Sequence, residues 1–135
     1  MWPDPSLLPP DPGARAKVIA AAHTIAVDVQ PVNNLGVLQA LQGQFDADQA
    51  ALKAWMERVM TKGFRAYETL VRPGPYSFGD QPTLADICLV PQLYNAHRCG
   101  IDLAPYLQIA AIEEACLALP AFDAARFENQ PDAET

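Results

Sequence analysis

The side chains with the most chemical capacity in this sequence fall in four places. Arg98 closes an apolar run. Its planar guanidinium can grip a carboxylate with two parallel hydrogen bonds, or it can sit at the negative end of a helix and bond the last carbonyls. Gln30, Asn33 and Asn34 surround Pro31. Their amides suit a ligand, and equally suit the backbone groups that a proline leaves unpaired. Thr83 and Asp86 stand three residues apart at the head of the run that Arg98 ends, which is the spacing of a capping box. The threonine accepts from a backbone N–H three residues on, and the carboxylate reaches back to the free N–H of the threonine. Cys88, Cys99 and Cys116 are odd in number and lack Cys-x-x-Cys spacing. They read as reduced thiols of a cytosolic protein.

Other chemistries are excluded by what is missing. The two serines, Ser6 and Ser77, lie in proline-rich loops without a Gly-x-Ser-x-Gly setting, so no serine triad is written here. His23 and His97 have no ligand spacing to a cysteine, and no Glu-x-x-His pair occurs, so no metal site is expected. Glycine-rich phosphate loops are absent; Gly74-Pro75 and Gly79-Asp80 are turns. The net charge of −7 leaves no basic stripe for nucleic acid or an anionic membrane. The apolar stretch from Val18 to Val29 is interrupted by His23 and Asp28 and is too short to span a bilayer.

The elements that must position these residues are helices. A chain of 135 residues, half of them apolar, suits one domain with a real core. Residues 1–10 are proline-rich and read as an interdomain-type linker, residues 11–128 as the domain, and residues 129–135 as a frayed tail. Asp11-Pro12 starts a first helix whose inward face is Val18, Ala22, Ile25 and Val29, ended or kinked by Pro31. A long second helix spans about Asp46 to Leu70, with Leu52, Trp55, Met56, Val59, Met60, Phe64, Tyr67 and Leu70 on one stripe, and Arg72-Pro73-Gly74-Pro75 stops it. The segment from Thr83 to Asn95 is apolar nearly all round, which places it at the centre of a bundle, with Pro91 kinking it. A further helix begins near Pro105, with Ile109, Ile112, Cys116 and Leu119 inward, and breaks at Pro120. No run alternates long enough to be a strand, so the fold class is all-α.

A buried helix opened by Gly79-Asp80-Gln81-Pro82-Thr83-Leu84-Ala85-Asp86 resembles the capping signature of glutathione transferase C-terminal domains. The stretch from Ile87 through Arg98 to Tyr106 resembles the zeta class, the maleylacetoacetate and maleylpyruvate isomerases. Asp28-Val29-Gln30-Pro31-Val32-Asn33-Asn34-Leu35, the terminal Gln130-Pro131-Asp132 and the linker-like Leu7-Leu8-Pro9 agree with it. The resemblance therefore runs through essentially the whole chain.

It implies a helical glutathione transferase C-terminal bundle from a cytosolic homodimer, with glutathione as cofactor and a small dicarboxylate as substrate. The implied reaction is cis-to-trans isomerisation of maleylacetoacetate or maleylpyruvate. In such proteins a thioredoxin-like N-terminal domain holds most of the glutathione and activates its thiol through a Ser-Ser-Cys motif. That domain is not in this sequence, so no catalytic residue is assigned in this chain. The positions matching Gln30, Asn34, Leu35 and Gly36 approach glutathione, and the arginine matching Arg98 faces the cleft where substrate carboxylates sit. Gly36 departs from relatives with arginine there, which favours maleylacetoacetate over maleylpyruvate. The alternative is a free-standing helical module that binds a partner or ligand without catalysis.

Overall fold

A computed structural model describes residues 6–72 and 74–133. Six helices follow one another: α1 (Pro12–Ala26), α2 (Leu35–Phe45), α3 (Gln49–Leu70), α4 (Leu84–Arg98), α5 (Leu107–Leu117) and α6 (Pro120–Ala124), with a 3-10 turn at Phe127–Asn129. Among the described residues strand pairing amounts to one isolated bridge, Tyr76 to Gly79. The fold is all-α, as expected. Residues 1–5 of the linker-like segment, Pro73 of the helix stop, and Glu134 and Thr135 of the tail lie outside the described residues.

The helix starts follow their caps. Asp11 accepts the Ala14 N–H at 2.7 Å with Pro12 in the first turn, and Asp48 accepts the Ala51 N–H at 2.8 Å. α3 begins three residues later than the expected Asp46, because Asp46 is spent on a left-handed turn that closes α2 (φ 52°). α1 stops at Ala26, short of Pro31. The backbone then winds wider, with Asp28 N–H donating to His23 O and Gln30 N–H to Ile25 O, yet Val29 stays buried. Val29 packs where α3 carries Gly63: a Cβ added at Gly63 would overlap Val29 Cγ2. α2 was not anticipated. None of its residues is fully buried: Val37, Leu38 and Leu41 are half-buried, and Leu35 and Phe45, at the same helical spacing, are exposed.

α4 is the central helix, lying along α1 and α5. Ala85, Asp86, Leu89, Leu93 and Ala96 are fully inside, against Val18, Ile25, Met60, Phe64, Ile109 and Cys116. Its burial is not all round as its composition suggested: Ile87, Pro91, Tyr94 and Arg98 form one exposed strip. Pro91 stands inside α4 without ending it. Gly100 (φ 66°) does end it, with Ile101 N–H donating to Ala96 O and Gly100 N–H to His97 O, both at 3.0 Å. This is a Schellman closure, and its left-handed residue is most easily a glycine.

α5 has no side-chain cap of its own. Glu68 of α3 supplies one across the bundle, accepting the Ile109 N–H at 2.9 Å. Ile109, Ile112 and Cys116 point inward as expected, whereas Leu119 is half-buried and caps α6. The tail is tied rather than loose up to Ala133: Gln130 donates to Ala124 O and Arg126 O, and Asn129 to Asp123 O.

Candidate functional site

Asp86 is completely buried and both its oxygens are in use. Oδ1 accepts the Ser77 N–H at 2.8 Å and the Ser77 hydroxyl at 2.6 Å. Oδ2 accepts the Thr83 N–H at 2.7 Å and the Thr83 hydroxyl at 2.9 Å. The capping box is formed, and the Asp86 limb is its strong half. The Tyr67 hydroxyl joins at 2.7 Å from Ser77 Oγ. Burial pushes the Tyr67 phenol well above its ordinary value, the Ser77 bond partly opposing and the Asp86 charge adding. Thus a carboxylate, a serine and a tyrosine stitch the 76–80 loop and α3 to the head of α4. Ser77 and Tyr67 were not foreseen in this cluster. A tyrosine in a core stripe was the available signal, because a buried phenol needs a partner.

At the other end of α4, Arg98 is exposed and its Nη2 donates to Asn95 Oδ1 at 3.2 Å. The helix-end carbonyls it might have bonded are taken by backbone: Asn95 O by Cys99 N–H, Ala96 O by Ile101 and His97 O by Gly100.

The residues around Pro31 divide. Asn34 caps α2, accepting from the Val37 N–H at 3.0 Å and donating to Pro31 O at 2.8 Å, so its amide serves the backbone. Asn33 is buried with both amide atoms unpaired among the described residues. Gln30 is half-buried, and Leu35 and Gly36 are exposed. As the first two residues of α2, Leu35 and Gly36 have N–H groups with no intrahelical acceptor, at the end of a helix that favours negative charge. Those free N–H groups leave the start of α2 open to an anionic group.

The Pro31 loop and Cys99, the residue after Arg98, touch adjacent residues of α3. Trp55 Nε1 donates to Val32 O at 3.1 Å, and the next residue, Met56, meets Cys99 with sulfurs 3.7 Å apart. No direct hydrogen bond joins Arg98 to Gln30, Asn34, Leu35 or Gly36 among the described residues. Nor do the described residues contain a cluster of acidic, histidine and cysteine side chains able to hold a metal. Among the described residues no helix is long and apolar enough to cross a membrane.

The profile of the family "Glutathione S-transferase, C-terminal domain" matches residues 49–116, from the start of α3 into α5. A maleylpyruvate isomerase from a Ralstonia species is 45% identical over 97% of this chain and 64% of its own length. The structure of a maleylpyruvate isomerase described as a zeta-class bacterial glutathione transferase superposes with a TM-score of 0.96 at 44% identity, covering 98% of this chain and 65% of that one. The chain belongs to the zeta-class glutathione transferases, as their C-terminal domain.

A further neighbour is the maleylacetoacetate isomerase of Anaeromyxobacter dehalogenans, solved with dicarboxyethyl glutathione and citrate in its active site. It matches with a TM-score of 0.92 and 45% identity, over 98% of this chain and 60% of that one. The chain thus spans under two thirds of the length of these three relatives. The Asp86 knot belongs to the part of the chain that the family profile matches, whereas the Pro31 loop lies before it.

Proposed function

We propose that this chain is the helical half of a glutathione-dependent cis–trans isomerase acting on maleylacetoacetate or maleylpyruvate, working as a cytosolic homodimer with a thioredoxin-like domain ahead of it. The observation that carries the reading is Arg98. It is an exposed guanidinium with one weak side-chain bond, released from helix-end duty by the Schellman closure, and tied through Cys99 and Met56 to the stretch of α3 that also anchors the Pro31 loop. When bound, glutathione supplies the thiolate whose transient addition makes the cis double bond free to rotate. Arg98 holds a substrate carboxylate in its planar fork and so fixes which carbon faces the sulfur. Gln30 and the leading N–H groups of α2 at Leu35 and Gly36 hold a glutathione carboxylate; Asn34 acts by forming that helix end. Exposed Val32, Leu35 and Phe45 offer apolar surface for the second subunit.

The test joins the chain to a thioredoxin-like domain of the family and follows loss of maleylacetoacetate and of maleylpyruvate with glutathione present. Arg98→Lys is expected to lower kcat/KM about tenfold or more, about 1.4 kcal/mol of transition-state binding, with melting within a few degrees. Lysine keeps the charge and loses the fork. Unchanged kinetics with lowered stability would return Arg98 to a helix-end role. Full-rate turnover by the 135-residue chain alone would show that no catalytic half lies elsewhere. Glutathione binding without turnover in the joined protein would favour a non-catalytic binding module.

A further inference from the structure

The acceptor that Arg98 finds is Asn95, three residues earlier and so on the same face of α4. A guanidinium carries N–H donors and no acceptor, so the Asn95 amide must turn its oxygen toward Arg98 and its nitrogen away. The Cys99 thiol faces the same oxygen, with Sγ 3.9 Å from Asn95 Oδ1. Two donors therefore agree on which way the amide points. Asn95 and Cys99 are half-buried, and Cys99 backs onto Met56 of α3 with the sulfurs 3.7 Å apart. The amide thus has a seat in the bundle, which the exposed Arg98 lacks.

Asn95 Nδ2 is left over. It bonds nothing among the described residues, and the buried side-chain polar atoms without partners there belong to Asn33 and Gln92, so Nδ2 reaches solvent. Beside it, Arg98 has all but one of its N–H groups free and no ion pair: the pairs among the described residues are His97 with Glu113 and Arg126 with Asp123. The last turn of α4 therefore presents a planar cationic fork with a neutral amide donor next to it. Such a pair is complementary to a ligand that carries a carboxylate and a second oxygen group close by. An arginine that is loose in solvent loses rotamer freedom when it grips a ligand, and a neighbour that restricts it beforehand removes part of that cost.

We infer that Asn95 is the specificity-determining partner of Arg98: its carbonyl oxygen aims the fork at one carboxylate of the substrate, and its Nδ2 donates to a second oxygen group of the same molecule. This rests on the proposed role of Arg98 and adds to it a positioning residue and a second anchor. A monocarboxylate engages the fork alone, whereas a dicarboxylate or a keto acid engages both groups, so the pair selects for the second oxygen as well as for charge.

The test uses the chain joined to a thioredoxin-like domain of the family, with glutathione and dicarboxyethyl glutathione as calorimetric probes and maleylacetoacetate as substrate. The ratio of the two affinities isolates what the dicarboxylate end contributes. Asn95→Leu keeps a side chain of similar size and removes both polar atoms. It is expected to lower that ratio, and kcat/KM, by about three- to tenfold, with glutathione affinity and Tm unchanged. Asn95→Asp still accepts from Arg98 but sets a negative charge where Nδ2 stood, and is expected to lower the ratio further than Asn95→Leu does. With Arg98→Lys already in place, Asn95→Leu should cost less than it costs alone, because part of its effect runs through the fork. A ratio lowered by Arg98→Lys and untouched by Asn95→Leu would overturn the inference and leave the role of Arg98 standing. So would a joint fall of glutathione affinity and Tm in Asn95→Leu, which marks helix-end packing, and so would unaltered binding of dicarboxyethyl glutathione by Asn95→Asp. Strictly multiplicative losses at 95 and 98 would show that Asn95 does not act through Arg98. A protein whose affinity ratio follows Asn95 as expected, yet which isomerises neither maleylacetoacetate nor maleylpyruvate, would refute the catalytic reading and leave this one standing.

Discussion

Replacing Asp86 by alanine removes four hydrogen bonds at a site with no access to water. The donors differ in what they can do next. The Ser77 and Thr83 hydroxyls can rotate, and Ser77 keeps Tyr67 as a partner at 2.7 Å. The Ser77 and Thr83 backbone N–H groups cannot turn away. Each buried donor left unmet costs about 1–3 kcal/mol. Together with the lost hydroxyl bonds this gives about 3–5 kcal/mol, a large share of the about 5–15 kcal/mol that holds a domain together. For a chain of this size that corresponds to a fall in Tm of about 10–20 °C. Thr83→Ala loses one limb of the cap and should cost about 1 kcal/mol. The double variant should scarcely exceed Asp86→Ala, because both act on the same bonds. Sequence spacing alone predicts only a cap and a drop of several degrees; the larger figure comes from Ser77. Circular dichroism melts of the three variants test the ranking, and calorimetry with glutathione on the joined protein tests the role. If Asp86→Ala costs no more than Thr83→Ala, the Ser77 bonds carry no weight and the reasoning fails. If glutathione affinity falls while Tm holds, Asp86 belongs to the binding site rather than to its scaffold.

Gly63→Ala should lower stability by about 1–2 kcal/mol, since overlap with Val29 outweighs the helix-propensity gain; adding Val29→Ala should cost less than the sum of the two, read from urea midpoints. Glu68→Ala should lower Tm by about 3–8 °C through the uncapped start of α5, with exchange of the Ile109 amide accelerated in NMR spectra. Burial first, then the Asp86 and Glu113 carboxylates, push the Cys116 thiol from 9.0 up to about 12, and burial raises Cys88. Both keep their protons in the folded chain where the unfolded chain loses them, so stability should be full below pH about 9 and decline as pH rises toward 12. Cys116→Ala should make that decline shallower in melts taken across this range.

The parts of the fold that could be read in advance are those where one physical signal dominates. Asp11-Pro12 and Thr83 with Asp86 are local cap chemistry, and the α3 stripe and the inward face of α5 are helical periodicity over buried residues. α2 escaped although Asn34 caps it and Leu38, Leu41 and Phe45 recur at helical spacing, because Gly36 and Gly43 weaken the helical signal and none of its residues is fully buried. The open strip of α4 escaped for a different reason: Ile87 and Tyr94 are as apolar as their buried neighbours, and composition does not tell a core face from an exposed one. Ser77 was legible only as a loop serine, because its bond to Asp86 depends on how the turn after α3 folds back. Of the candidate site, the residue types at 30, 34 and 98 were legible, while how the segments that carry them sit on α3 depends on the tertiary contacts of Trp55 and Met56.

α2 rests on α3 through half-buried side chains at Val37, Leu38 and Leu41 and has no fully buried one. Its eleven residues are fewer than an isolated helix needs to persist in water, and Leu35 and Phe45 are 69% and 72% exposed. It should therefore open far more often than α3 or α4, and its amides should exchange with solvent orders of magnitude sooner. Any molecule that grips its first turn must spend part of its binding free energy on ordering the helix. Affinity at this end of the domain is then set as much by how often α2 is closed as by the groups it presents, and a substitution that stiffened α2 would tighten binding without touching the ligand.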